Sequence, residues 1–427
     1  MIKRLFSICI LCIVCYSCQS VKPISVKNGQ FYQGNKPYYF VGANYWYGPL
    51  IAAPNIGDRD RLIKELDMLD SLGVDNLRIL VGGEGGIEDS QVKPALQYEQ
   101  GKYNQDLLEG LDFLLNEMRK RNMYAVLYLN NNWIWSGGMS TYLRWNGYGD
   151  VPNPFLEEYT WPEYFAYTQQ FHTCKPCQEA FKKHIKFIMT RTNSVNGLVY
   201  TDDNTIMSWQ VANEPRIFSE EDREPFASWL SETVNYMDSL DPNTLISTGA
   251  EGKASYLQDL ETYKNLHATD KIDYLTAHMW PKNWGWYNKD NEEATLQTSI
   301  KNAHDYIEEH KKVAKQLQKP LVLSEFGFPR DGESLERGSS VNYRDRFYKS
   351  ILEELKASFK NKNELSGLNF WGFAGIAKTI SGQAKWEKGD DFTADPPQEP
   401  QGLNSVFAED TSTLKMLKEY NTIFSKK

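Results

Sequence analysis

The sequence lacks an excess of basic residues. Its 427 residues include 47 Lys and Arg against 56 Asp and Glu, which leaves a formal net charge of −9 at pH 7. Proteins that bind nucleic acids normally present a basic surface, so we exclude nucleic acid as a partner. Polyanionic substrates are disfavoured for the same reason, and a neutral ligand fits best. Aromatic residues make up 13% of the chain, which suits stacking on flat apolar ligand faces.

The sequence also lacks an apolar run long enough to cross a bilayer as a helix. Its most apolar segment, residues 5–14, is short and follows the basic residues Lys3 and Arg4, a pattern typical of an export signal. Cys18 ends this region, and the arrangement resembles a bacterial lipoprotein signal. We therefore expect removal of residues 1–17 and attachment of lipid to the sulfur of Cys18.

The expected anchor indicates where the protein would be found. We expect residues 18–30 to form a tether, with the lipid as the only attachment to a membrane. No acidic run that might mark surface export follows Cys18. A periplasm-facing anchor in the cell envelope of a bacterium is therefore favoured over the cell surface, and plain secretion is the alternative.

Cysteine is scarce once the signal is set aside. Of the six cysteines, three precede Cys18, which is itself the expected lipid site. The remaining pair, Cys174 and Cys177, has C-x-x-C spacing, which in an exported protein indicates a small local disulfide. A zinc site with His172 is the alternative, but only three ligands are in sight.

Short β-branched and aromatic runs alternate with amphipathic helical stretches. This pattern predicts an α/β protein with a (β/α)8 barrel, in one catalytic domain over residues 31–427 that we expect to be monomeric. Residues 26–39, which contain two Gly/Asn turns, predict a hairpin before the barrel. The expected strands are 38–44, 76–81, 124–129, 206–212, 245–248, 274–278, 321–324 and 367–371.

Long loops follow the third, sixth and eighth predicted strands. In such barrels the loops after the strands build the active face. The first two loops are rich in tryptophan, which suggests a cleft for an extended ligand; packing of the loops onto the barrel is the alternative. The tryptophans are Trp133, Trp135, Trp145, Trp161, Trp280, Trp284 and Trp286.

Two glutamates stand at the ends of predicted strands. Glu214 lies in an N-E-P motif after the fourth strand, and Glu325 lies in an S-E-F-G motif at the end of the seventh. Strands four and seven face each other across the mouth of a barrel, where charges are costly unless they are used or paired. Glycosidic cleavage needs two facing carboxyl groups. A structural salt bridge is the alternative for either glutamate alone.

These motifs resemble the retaining (β/α)8 clan of glycoside hydrolases, specifically family 5. Further stretches are similar to its β-mannanase branch, over residues 30–425. The resemblance implies a retaining endo-β-1,4-mannanase that hydrolyses mannan, glucomannan or galactomannan and needs no metal and no cofactor. The stretches are N-N-W at 131–133, W-S-G-G-M at 135–139, D-D-N-T-I at 202–206, N-E-P-R at 213–216, H-M-W-P-K-N-W at 278–284 and D-P-P-Q-E-P-Q-G at 395–402.

The resemblance also implies roles for individual residues. Glu325 would be the nucleophile and Glu214 the acid/base, so Glu214 would need a raised pKa while Glu325 stays ionised. Arg78 would keep the nucleophile charged, because a guanidinium stays protonated and can bind in a bidentate way. Asn213 would hold the 2-hydroxyl beside the cleaved bond. The other expected substrate-binding residues are Arg216 on the leaving-group side, His278 in the catalytic shell, Trp371 under the sugar, Trp280 and Trp133.

Two places depart from the family pattern. Relatives often carry Tyr two residues after the strand-six histidine, where this chain has Trp280. An indole N–H can also donate, but with a different reach. Residues 402–405 lack the aromatic pair that is frequent in relatives.

Three alternatives remain open from the sequence. The first is an exo-acting β-mannosidase or mannobiohydrolase of the same branch, which a loop that blocks one end of the cleft would favour. The second is a β-1,4-glucanase, because pocket contacts distinguish an axial from an equatorial 2-hydroxyl. The third is a glycan-binding lipoprotein without catalysis, against which the intact Glu214, Glu325 and Arg78 argue.

Overall fold

The computed structural model describes residues 21–87, 90–378 and 385–425. The expected signal and Cys18 lie outside these ranges. Within them, no helix combines the length and the apolar character that crossing a membrane would require.

A parallel barrel forms the centre of the molecule, as expected. Its strands are buried along their whole length, because helices cover the sheet from outside. The order of neighbours in the sheet is β5-β4-β3-β2-β1-β8-β7-β6. In the described chain the strands are β1 (Phe40–Asn44), β2 (Asn76–Leu80), β3 (Tyr124–Tyr128), β4 (Ile206–Gln210), β5 (Leu245–Ser247), β6 (Leu275–Met279), β7 (Leu321–Phe326) and β8 (Leu365–Phe370).

The two terminal strands of this sheet, β5 and β6, are joined at their ends. Asp273 N donates to Ile246 O over 2.8 Å, and Thr276 Oγ1 donates to Ala250 O over 2.8 Å. These bonds bring β5 beside β6, so the (β/α)8 class is confirmed.

A helix follows each barrel strand. In α2, Asn104 Oδ1 caps the first turn by accepting from Asp106 N at 3.0 Å, and the leucines of one face are buried. Burying each leucine contributes about 1.5–3 kcal/mol. In the described chain the helices are α1 (Arg59–Ser71), α2 (Gln105–Lys120), α3 (Lys175–Met189), α4 (Arg223–Leu240), α5 (Leu260–Leu266), α6 (Glu292–Leu317), α7 (Asn342–Asn361) and α8 (Thr411–Ser425).

The loops on the carboxyl side of the strands contain further short elements that the sequence analysis missed, because each is too short to show a period. The helical ones are Gly48–Ala52, Gly138–Trp145 and Trp161–Thr168, with 3-10 turns at Ile134–Ser136, Gln169–His172, Glu220–Asp222, Lys253–Tyr256, Lys289–Asn291 and Asp331–Glu333. A further 3-10 turn, Tyr200–Asp202, lies before β4 on the opposite side. Short strands pair Gln97–Glu99 with Lys102–Tyr103 and Phe373–Gly375 with Val406–Phe407. A disulfide joins Cys174, the residue directly before α3, to Cys177 in the first turn of that helix.

The amino-terminal hairpin covers the opposite end of the barrel. Its strands are Ile24–Lys27, Gln30–Gln33 and Lys36–Pro37. Val21 is only 2% exposed and packs into the apolar cluster at this end. The expected tether over residues 18–30 is therefore corrected: from Val21 onward the chain belongs to the folded domain, because its apolar side chains seal the end of the barrel.

Candidate active site

Glu214 follows β4 and is 5% exposed. Its backbone has a φ of 53°, a left-handed conformation that costs a non-glycine residue about 1–3 kcal/mol. The conformation is held by a hydrogen bond from Glu214 N to Gly249 O at 2.9 Å. Gly249 has a φ of 79°, and a Cβ there would lie 1.9 Å from Ala212 O, so only glycine fits beside this turn.

Glu325 lies within β7 and is 2% exposed. One of its carboxylate oxygens lies within 4.8 Å of a carboxylate oxygen of Glu214. In retaining glycosidases the two carboxyl groups are about 5–5.5 Å apart, whereas inverting enzymes need about 6.5–9.5 Å for a water. The close approach of Glu214 and Glu325 therefore suits double displacement.

Arg78 of β2 is fully buried beside Glu325. Its NH1 group donates to Glu325 Oε1 over 2.5 Å. The guanidinium is oriented by Gln210 Oε1 at 2.8 Å and Asn44 Oδ1 at 3.2 Å, and it lies 4.4 Å from the centre of the Tyr128 ring. Removing one partner of a buried ion pair costs about 3–5 kcal/mol, so the carboxylate and the guanidinium depend on each other.

Asn213 connects this ion pair to the loop after β3. Its Oδ1 accepts from Arg78 NH2 at 2.9 Å, and its Nδ2 donates to Asn131 Oδ1 at 3.1 Å. Asn131 Oδ1 also accepts from Trp133 N at 3.0 Å. Because Arg78 can only donate, the amide oxygen of Asn213 must face it, and the amide nitrogen must face Asn131.

His278, at the end of β6, bridges the two carboxyl groups. Its Nδ1 lies 2.6 Å from Glu214 Oε1 and 3.4 Å from Glu325 Oε2, and its Nε2 lies 2.9 Å from Ser324 Oγ. Among the described residues, Glu214, His278 and Glu325 form a cluster that has the spacing of a metal site, with ligand atoms within 4.8 Å of one another. Their ligand atoms already hydrogen bond to one another and to Arg78 and Ser324, which suits proton transfer within the group.

The two carboxyl groups titrate as a pair because they share these neighbours. Burial raises the pKa of Glu325, although His278 and Arg78 oppose this effect. Burial acts in the same direction on Glu214, but the hydrogen bond and charge of His278 outweigh it and lower the pKa of Glu214. The two directions differ because His278 Nδ1 lies closer to Glu214, at 2.6 Å, than to Glu325, at 3.4 Å.

A cavity of about 560 Å³ opens above these carboxyl groups. That volume suits a small number of sugar rings. Trp371, which follows β8, is 3% exposed and lines the cavity, and its Nε1 is among the buried atoms without a hydrogen-bond partner in the described residues. Five of the seven loop tryptophans considered above also line it: Trp133, Trp135, Trp161, Trp280 and Trp284.

The family to which the chain belongs identifies the kind of site. Residues 21–427, which include every residue that the structure describes, match the family described as GH family 5 beta-mannosidase-like. The chain belongs to this family. It is therefore a glycoside hydrolase, as the two paired carboxyl groups suggested.

Known proteins resemble this glycoside hydrolase along most of its length. A family 5 mannosidase from Rhizomucor miehei superposes with a TM-score of 0.87 at 31% identity, covering 95% of this chain and 97% of that one. The putative mannan endo-1,4-beta-mannosidase 9 of Oryza sativa is 28% identical, covering 81% of this chain and 82% of its own. An endo-beta-1,4-mannanase from Thermotoga petrophila shares the fold, with a TM-score of 0.67 at 22% identity and coverage of 92% and 78%.

Trp280 of the hydrolase stands where relatives often have tyrosine. Its Nε1 donates to Glu325 Oε2 over 3.3 Å, so the indole reaches the second oxygen of the carboxylate that Arg78 binds. A Cβ at Gly327 would lie 2.5 Å from Trp280 Cζ3. The glycine of the S-E-F-G motif therefore makes room for this larger ring.

Trp133 and Arg216 form the cleft wall next to Glu214. Trp133 Nε1 donates to Glu214 Oε2, while the Arg216 guanidinium lies 4.6 Å from the centre of the Trp133 ring. Arg216 also pairs with Glu251, which comes from the loop after β5. The sequence analysis missed Glu251, because a glutamate in a loop without a motif gives no signal.

Glu399 is another cleft acid that the sequence analysis did not single out. It lies in the long loop after β8, beside Gln398 and Pro400 in the cavity wall. Burial raises the pKa of Glu399 to about 8, with Asp395 and Glu214 adding to the shift and Lys282 opposing it. The raised pKa favours the neutral form of this carboxyl group, which can donate a hydrogen bond.

Other residues of the site also went unrecognised in the sequence. Asn44 and Gln210 orient Arg78, and Ser324 pairs with His278. Each lies at or near the carboxyl end of a barrel strand, where polar side chains of separate strands meet. Their common position was the signal that could have identified them.

Proposed function

We propose that this hydrolase is a retaining endo-β-1,4-mannanase acting on mannan, glucomannan or galactomannan. The observation that carries the proposal is the pair of buried carboxyl groups, Glu214 and Glu325, with oxygens within 4.8 Å at the floor of a tryptophan-lined cleft. Support for the substrate comes from plant relatives named mannan endo-1,4-beta-mannosidase, such as those of Oryza sativa and Arabidopsis thaliana.

In the first step, the carboxylate of Glu325 attacks the anomeric carbon and forms a glycosyl ester. The bond from that carbon to the glycosidic oxygen breaks, and the oxygen takes the proton of Glu214. In the second step, Glu214 removes a proton from water, the hydroxide oxygen bonds to the anomeric carbon, and Glu325 leaves as a carboxylate. A glycosidic oxygen next to Glu214 favours the protonated form of that group, because the neutral carboxyl can donate a hydrogen bond to it.

The surrounding residues assist by binding and orientation. Arg78 and Trp280 each donate to one oxygen of Glu325 and so stabilise the carboxylate that leaves in the second step. His278 is a route for protons between the glutamates, and Asn213 presents its amide to the 2-hydroxyl. Trp371 lies under the reacting sugar. Trp133 and Arg216 bind the leaving-group side, next to Glu214.

An exo-acting β-mannosidase is the second candidate. The Rhizomucor miehei enzyme, named a mannosidase, superposes with a TM-score of 0.87, against 0.67 for the Thermotoga endo-mannanase. The loop that carries Gln398 and Glu399 also forms part of the wall of the cavity. A closed end would admit only a chain terminus and would restrict cleavage to terminal units.

Product analysis separates these candidates. We expect purified protein on linear β-mannan to release mixed oligosaccharides with an early fall in viscosity, and Glu325→Gln, a variant of nearly equal size, to release none. A single short product with slow viscosity loss would instead establish exo action. Cleavage of cellulose but not mannan would make the enzyme a glucanase, and mannan binding without any cleavage would leave a binding protein.

The cellular location is a separate part of the proposal. The basic and apolar residues before Cys18 support export, cleavage after residue 17 and lipid attachment to Cys18. The mature protein would then be a monomer held by lipid alone, facing the periplasm of a bacterium. Detection of a diacylglyceryl group on the amino-terminal peptide by mass spectrometry tests this, and a free secreted chain would contradict it.

A further inference from the structure

The first described residues are fixed to the end of the barrel that is opposite the cleft. Tyr124 OH, at the start of β3, donates to Lys22 O over 2.8 Å, and Phe31 packs edge-on against Tyr274, just before β6, at 5.3 Å. Tyr38 OH donates to Asp75, just before β2, over 2.9 Å. These contacts all lie at the amino ends of barrel strands, whereas the cleft lies at their carboxyl ends.

Few residues separate this end of the barrel from Cys18, the expected site of lipid attachment. Only two residues stand between Cys18 and Val21, and Val21 is 2% exposed in the apolar cluster under the barrel. An extended chain spans at most about 3.3–3.6 Å per residue, so the three residue steps from Val21 back to position 18 can span no more than roughly 11 Å. A lipid on Cys18 would therefore bring this end of the barrel to the bilayer surface.

The charge of the hairpin fits such a surface. Residues 21–39 contain three lysines and no aspartate or glutamate, although the whole chain has a net charge of −9. All three side chains, Lys22, Lys27 and Lys36, are exposed. Basic residues close to an anionic bilayer are attracted to its surface.

We propose that the amino-terminal hairpin is a membrane-docking surface for the phospholipid bilayer that holds the anchor, and that it points the cleft away from that bilayer. The inference rests on the lipid anchor proposed above. Its consequence is that the enzyme acts on soluble sugar chains that reach it from the aqueous side, without its cleft being covered by the membrane.

Fluorescence quenching tests the orientation. Asn35→Cys places a label on the exposed hairpin, and Lys289→Cys places a matched label on the exposed loop after β6. Each lipidated variant is labelled and bound to phosphatidylethanolamine–phosphatidylglycerol vesicles whose headgroups carry spin labels. The quenching of the two labels is compared after the activity and melting temperature of each variant have been checked. We expect quenching at residue 35 to exceed quenching at residue 289 at least threefold.

The controls distinguish the ways in which the inference could fail. Equal quenching, or stronger quenching at residue 289, would overturn the orientation while leaving the lipid anchor in place. Cys18→Ala should abolish vesicle binding and leave the hydrolase activity intact. If the mature protein carries no lipid by mass spectrometry, the anchor and the orientation both fail, whereas the proposed hydrolysis of mannan is unaffected.

Discussion

The side-chain amides of Asn131 and Asn213 meet at 3.1 Å, Nδ2 of Asn213 to Oδ1 of Asn131. This contact joins the loop after β3 to the end of β4, directly before Glu214. Asn131 is itself held, because its Nδ2 donates to Ser136 Oγ over 2.9 Å. The amide of Asn213 therefore accepts from Arg78 and donates to Asn131. Its second amide hydrogen remains available to a substrate.

Loss of the contact between Asn131 and Asn213 should weaken catalysis through Asn213, because Asn131 is the acceptor that orients its amide. We expect Asn131→Leu to lower kcat by about threefold to tenfold, since one hydrogen bond contributes about 0.5–1.5 kcal/mol. In a double-mutant cycle, the same substitution in the Asn213→Ala background should have little further effect. Equal losses in both backgrounds would show instead that Asn131 acts on the fold or through other contacts.

The two glutamates should respond differently to the leaving group. Glu214→Ala is expected to lose about 10²–10⁴-fold in kcat on mannooligosaccharides, because the departing oxygen needs a proton. With a dinitrophenyl β-mannoside, which leaves without protonation, formation of the glycosyl-enzyme should be largely restored. Glu325→Ala should be inactive on both substrates. Single-turnover kinetics measure this contrast, and equal losses for the two variants on both substrates would contradict the assigned roles.

Trp280 should help to keep Glu325 ionised. Its indole N–H donates to the carboxylate at 3.3 Å, which favours the charged form and lowers the pKa. Trp280→Phe removes the donor, so the pKa should rise and the acidic limb of kcat/KM should move to higher pH, by up to about one unit. Trp280→Tyr, the residue that relatives often carry, is the matched control. An unchanged acidic limb in Trp280→Phe would exclude this role.

Glu84, in the loop after β2, should make the fold sensitive to alkaline pH. It is 1% exposed, and burial raises its pKa to about 8 although Gly138 N donates to it. Between about pH 4.5 and 8 the folded state therefore binds one proton more than the unfolded state, so stability falls as pH rises.

The isosteric variant Glu84→Gln has no such proton to lose. Its free energy of unfolding relative to the wild type should increase by at least about 1 kcal/mol between pH 5 and pH 8.5. Urea unfolding at several pH values measures this difference. A difference between the two proteins that stays constant with pH would show that Glu84 is ionised throughout this range in the folded state.

The sequence predicted the eight strands of the barrel well, because each is a short buried run bounded by polar turns. Element ends differ by a few residues: the fourth strand ends at Gln210, not at residue 212 as expected. The short helices in the loop after β3 were missed. The tether was placed too far along the chain, because burial of Val21 depends on the distant strands that it covers.

The sequence alone determined the barrel, the family and the presence of Glu214 and Glu325, because strand periodicity and ordered motifs are local properties of the chain. Only the tertiary structure decided which polar groups meet. Asn44, Gln210 and Asn131 lie far apart in sequence, and their positions near strand ends do not show that they orient Arg78 and Asn213. Their partners come from other strands, so these contacts exist only once the barrel has closed and brought the strand ends together.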